Sequence, residues 1–127
     1  MVIGFLSFTD AFAQVEYKII TSVESIVPNG LGRSRIVSAS EDKRNKSDRS
    51  DIRVKNFEET KLLNFYNLGG IRFQNIAAND AVLTSKINAM IEEGWELAFV
   101  TSAVESEAGK GDGNGIFITR FIFKRLK

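Results

Sequence analysis

One stretch, residues 79–97, constrains the fold of this chain more than any other. Asn79 or Asp80 can cap a helix, because a short side-chain oxygen accepts from a free first-turn N–H. Leu83, Ile87, Met90 and Ile91 then recur at helical spacing and make one apolar stripe. Gly94 suits the left-handed position that ends many helices. From Trp95 the period changes to two, with Trp95, Leu97 and Phe99 on one face. Helix and strand are therefore predicted to share a core, with Gly94, Trp95 and Leu97 as its structural corner.

The flanking segments read as strands. From residue 15 to 24, Val15, Tyr17, Ile19, Thr21 and Val23 alternate with Glu16, Lys18, Ile20, Ser22 and Glu24, as in a half-buried strand. Pro28-Asn29-Gly30 marks a turn, and residues 33–38 return as a second strand. Residues 40–51 hold four acids, four bases and no apolar side chain, which predicts a mobile surface loop. Between residues 51 and 74 the pattern is least legible. Ile52, Val54 and Phe57 suit a short strand, residues 57–66 a short helix with Leu62 and Phe65 inward, and Ile71 with Phe73 a brief strand. Residues 95–104 and 116–124 form a hairpin across a glycine-rich loop. Apolar residues on both faces of these two strands predict central places in the sheet. The sum is an α+β domain: an antiparallel sheet of four or five strands, built from two hairpins, with one main helix on one face.

With 127 residues, 43% of them apolar, the chain suits a single domain with a real core. Lys plus Arg is 17 and Asp plus Glu is 16, so no net field draws it to nucleic acid. The chain has no Cys and no His, which removes disulfides, thiolate chemistry, the usual general base and the commonest transition-metal ligand. The expectation is a non-enzymatic protein without cofactor or metal. Residues 1–8 are mostly apolar, and Ala11-Phe12-Ala13 fits the small-x-small pattern of signal peptidase. Residues 1–13 read as a signal-peptide remnant and residues 14–127 as the domain, placed in the periplasm or beyond. A cytoplasmic location follows if residues 1–13 belong to the domain as a short strand or helix. The apolar run is too short for a membrane span, which needs about 20 residues.

Candidate chemistry is sparse. Gly109-Lys110-Gly111-Asp112-Gly113-Asn114-Gly115 superficially suggests a phosphate loop, but no Ser or Thr follows the lysine and a strand follows the loop. A calcium loop fails on spacing. Glu92, Glu93 and Glu96 read as solvated carboxylates at a helix end. Trp95 could stack a ligand, but at such a corner it reads as core. Arg120, Lys124, Arg125 and Lys127 read as a solvated, basic strand end. Thr21-Ser22-Val23-Glu24-Ser25 also echoes residues 101–106, each before a glycine-bearing turn. If the hairpins lie side by side, both tips emerge at one end and gather Glu24, Arg33, Arg35, Glu105, Lys110 and Asp112. That end is the candidate ligand or partner site; the alternative is two independent solvated tips.

Glu16-Tyr17-Lys18-Ile19-Ile20, Gly94-Trp95-Glu96-Leu97 and the ending Phe123-Lys124-Arg125 together resemble a group of small bacterial domains of unknown function. They are similar also to short secreted hypothetical proteins of Gram-negative bacteria with a helix before the same corner. The resemblance spans residues 15–23 and 79–125, implies a small α+β fold, and brings no catalytic residues. Residues 25–78 depart from it as a long insertion. The leading functional expectation is a secreted or periplasmic protein-interaction or assembly module. A small anionic-ligand-binding domain using the hairpin-tip end is the alternative, and a carboxylate or lysine hydrolase comes third.

Overall fold

The alternation at the start of the domain builds β1 (Val15–Ser25), and β2 (Arg35–Ala39) is the next strand in the chain. The computed structural model describes residues 15–25, 34–39, 54, 57–67, 69–105 and 115–127. The polar loop at 40–51 lies outside them. β3 (Phe57–Lys61) is followed by two short strands, β4 (Tyr66–Asn67) and β5 (Gly70–Ile71). Then come α1 (Phe73–Glu92), β6 (Glu96–Glu105) and β7 (Ile116–Leu126). The main sheet has five strands in the order β3-β2-β1-β7-β6, and every neighbouring pair is antiparallel. With α1 packed on one face, this is the expected α+β architecture. β4 and β5 pair separately.

The central pair is β1 with β7, in continuous register from Val15–Leu126 to Ser25–Ile116. The register assigns the faces. Glu16, Lys18, Ile20, Ser22 and Glu24 share a face with Phe117, Thr119, Phe121, Phe123 and Arg125, and this face meets α1. Ile20, Ile36, Leu62, Met90, Trp95 and Phe123 are buried as one cluster, with Val82, Leu83, Ile87 and Phe121 packed against it. Phe65 adds a tilted ring contact to Phe117, with centroids 5.7 Å apart.

The helix stop behaves as its sequence dictates. Gly94 has φ +93°, a conformation that costs a side chain but not glycine. The Gly94 N–H donates to the Ile91 carbonyl at 2.9 Å, and the Trp95 N–H donates to the Met90 carbonyl at 3.0 Å. This pair of bonds is a Schellman motif, and it brings Trp95 back onto Met90 as such motifs often do. Trp95 is only 7% exposed.

Elsewhere the tertiary structure overrides local signals. The helix starts at Phe73, well before Asn79, and Asn79 is buried in its interior instead of capping it. The buried stripe is Asn79, Val82, Leu83, Lys86, Ile87 and Met90 in turn, and Ile91 falls outside it, more than half exposed. Residues 57–61 form a strand and not a helix, because pairing with β2 outweighs the weak helical tendency of so short a segment. Leu62 and Phe65 still turn inward. Phe73 opens the helix instead of extending a strand, leaving Ile71 in β5. β7 is an inner strand as expected, but β6 is an edge. A register shift between Leu97 and Phe99 flips the alternation of β6, so Leu97 lies opposite Phe123 while Phe99 lies opposite Ile122 on the face that carries no helix among the described residues, the helix-free face. Trp95, Leu97 and Phe99 therefore do not share a face.

Urea unfolding separates these cases. Trp95→Ala and Met90→Ala should each lower stability by roughly 2–5 kcal/mol. Ile91→Ala, on the same helix, should change it by no more than about 0.5 kcal/mol.

Candidate functional site

The hairpin-tip end holds a buried polar network. Asn79, 1% exposed, uses its carboxamide like a strand partner. Its Oδ1 accepts from the Leu63 N–H at 2.8 Å, and its Nδ2 donates to the Leu63 carbonyl at 2.7 Å. The second Nδ2 hydrogen reaches Glu24 Oε2 at 3.1 Å. Asn75 Nδ2 donates to the Asn64 carbonyl at 2.7 Å. Ser34 Oγ accepts from the Ser25 N–H at 2.9 Å and donates to Asn64 Oδ1 at 2.7 Å. The helix is thus bolted to the segment after β3 and to the end of β1 by groups that satisfy one another, as buried polar groups must. Glu24 is consumed in this network.

At the other end of α1, Arg125 stacks its guanidinium 4.1 Å from the centre of the Trp95 ring. Its Nε donates to Glu16 at 3.1 Å and its Nη1 to the Glu93 carbonyl at 2.9 Å. A cation on the final carbonyls of a helix is favourable for both hydrogen bonding and the helix dipole. Arg125 therefore caps a helix; only its neighbours Arg120 and Lys124 keep the solvated strand role.

Of the residues assigned to the tip site, the described ones do not gather. The registers place Ser25, Ile116 and Glu105 level, so the strand pairs β1–β2 and β6–β7 lie side by side with these strand ends at one end of the sheet. Glu24 faces the helix, whereas Arg35, opposite Val23, lies on the other face of the sheet and pairs with Glu59. Glu105 is described in its backbone alone, and Arg33, Lys110 and Asp112 lie outside the described residues.

Sequence reasoning passed over two features. One is a cleft of about 270 Å³ between the second half of α1 and the strands β1, β2 and β3. Its floor is Ile20, Ile36 and Met90; Lys18, Ser38, Glu58 and Lys86 stand around it, with Glu93 at its mouth. The signal for it was the polar set Glu16, Lys18 and Ser22 on what proves to be the helix-facing side of β1. The other feature is the helix-free face. There β1 presents Val15, Tyr17, Ile19, Thr21 and Val23, beside Ile118 and Ile122 of β7 and Phe99 of β6. Tyr17 is 61% and Phe99 63% exposed. The more apolar side of β1 thus points away from the helix.

Compared with protein-family models, curated proteins and solved structures, the chain gives no match. No helix among the described residues is long and apolar enough to cross a membrane.

Asn79→Ala removes the side-chain partner of the part-buried Leu63 N–H and carbonyl and should cost roughly 1–3 kcal/mol in urea unfolding. Asn79→Asp should destabilise as well. It removes the donor to the Leu63 carbonyl and sets a second carboxylate against Glu24.

Proposed function

We propose that this protein is a non-enzymatic assembly module that pairs with a second copy of itself along β6 and the adjoining helix-free face. The observation that carries the reading is the inverted polarity of β1, whose apolar side faces away from the only long helix among the described residues. A half-covered antiparallel sheet normally turns its polar side outward. Tyr17, Ile19 and Phe99 do the opposite.

The two sheet edges differ in a way that selects β6 for pairing. β3 is five residues long and carries Glu58, Glu59 and Lys61, the charges that protect an edge. β6 is ten residues long and has no charge between Glu96 and Glu105. Phe99, Val100 and Val104 are exposed along it. Phe99 lies on the helix-free face, and Val100 and Val104, opposite Phe121 and Phe117, lie on the helix side, so antiparallel pairing of two such edges would continue the sheet and cover apolar residues on both of its faces. The same region gives the aggregation risk of a bare edge a natural outlet in a closed two-fold dimer.

We place this activity in the periplasm or beyond. Supporting this, Ala11-Phe12-Ala13 follows an apolar run and fits the small-x-small pattern of signal peptidase. The resemblance carried by Gly94-Trp95-Glu96-Leu97 adds no site residue to the reading.

Sedimentation equilibrium tests the assembly. The wild type is expected to dimerise at micromolar concentration, and Val100→Lys to shift it to monomer while Glu58→Lys leaves it unchanged. A wild type that stays monomeric up to roughly 100 μM, an association weaker than about −5.5 kcal/mol, overturns the reading. Intact mass of the protein exported by a Gram-negative host tests the location: a species starting at Gln14 is expected, and an uncleaved chain in the cytoplasm counts against it.

A further inference from the structure

We propose that the cleft between α1 and β1, β2 and β3 binds a small monocarboxylate with a short branched or aromatic body. It is separate from the dimer surface, which uses the opposite face of the sheet and the edge at β6.

Three observations converge on it. First, the floor is apolar and deep: Ile20, Ile36 and Met90 are each at most 5% exposed. Second, Ser38 lines the cleft at 8% exposure, and its hydroxyl has no hydrogen-bond partner among the described residues. A buried hydroxyl without a partner is costly and rare in native structures. Third, the four charges around the cleft, Lys18, Lys86, Glu58 and Glu93, sum to zero but are not all paired. Lys86 lies 3.9 Å from Glu58, so each has an opposite charge at hand. Glu93 is exposed at the mouth. Lys18, half-buried in the wall, has no carboxylate within ion-pair distance among the described residues.

An unpaired ammonium and an unpaired hydroxyl above an apolar floor complement a carboxylate on an apolar stem. Ser38 would donate one hydrogen bond to the carboxylate and Lys18 a charge-assisted one. The apolar stem would cover Ile20, Ile36 and Met90. Size sets the limit. At about 270 Å³ the cleft falls just below the roughly 300–1,000 Å³ of drug-sized pockets, so the ligand is a small acid or a single C-terminal residue. These two sources share the same chemistry.

The test titrates the full chain with 4-methylpentanoate and with its neutral amide, following backbone amide resonances. Shifts confined to the cleft, at Lys18, Ser38 and Met90, are expected for the acid and not for the amide. Lys18→Met should weaken binding about tenfold or more, the loss of one charge-assisted bond. Ser38→Ala should weaken it several-fold, and Lys127→Met should leave it unchanged. Ala-Ala-Leu against its C-terminal amide distinguishes the sources: preference for the free tripeptide over 4-methylpentanoate assigns the cleft to peptide C-termini, and the reverse assigns it to free acids. Absence of cleft shifts at millimolar acid, equal binding of acid and amide, or unchanged affinity in a folded Lys18→Met variant overturns the proposal. If Lys18→Met does not fold, an unchanged affinity in Ser38→Ala overturns it.

Discussion

Eleven consecutive residue pairs join β1 to β7, and nearly the whole chain intervenes between them. Closing so long a loop is entropically unfavourable, and the pairing is non-local. Everything else hangs on it. It sets the two hairpins side by side, brings Glu16 within reach of Arg125, and aligns Ile20 with Phe121 beneath the helix. Without it, β1–β2–β3 and β6–β7 are separate small sheets with no common core.

The helix is held on this sheet by different means at its two ends. Toward its start, neutral amides do the work: Asn79 and Asn75 bond main-chain groups of Leu63 and Asn64. Such bonds contribute little net energy compared with apolar burial, but they tolerate only one register of helix against loop. Toward its end, the Gly94 turn folds Trp95 onto Met90, and Arg125 covers the indole while bonding the Glu93 carbonyl. The apolar stripe between the two ends then packs without freedom to slide.

The polarity of β1 links the fold to the proposed association. Its helix-facing side offers a single apolar residue, Ile20, among Glu16, Lys18, Ser22 and Glu24. Three of those polar residues are used: Glu16 by Arg125, Glu24 by Asn79, and Lys18 as a wall of the cleft. The other side carries the residues that an isolated domain would bury. One strand thereby supplies both an interior lined for polar contacts and an exterior suited to association.

Local signals alone determined the corner at residues 90–97, because a left-handed glycine and the two bonds around it involve only neighbours in the chain. They determined equally the period-two strands at 15–24 and 116–124, since alternation is a property of the strand itself. What they left open was which side of each strand turns inward. Periodicity sorts residues into two sets, but only contact with α1 decides that Lys18 and Ser38 line a cleft while Tyr17 meets solvent. Asn79 shows the same limit: a short polar side chain reads as a cap until a distant main-chain partner, Leu63, gives it a buried role. The place of β6 at an edge, and the register shift after Leu97, likewise arise from pairing with β7 and leave no trace in composition. Interactions between chain neighbours are written in the order of residues, whereas those between distant segments exist only once the chain has closed on itself.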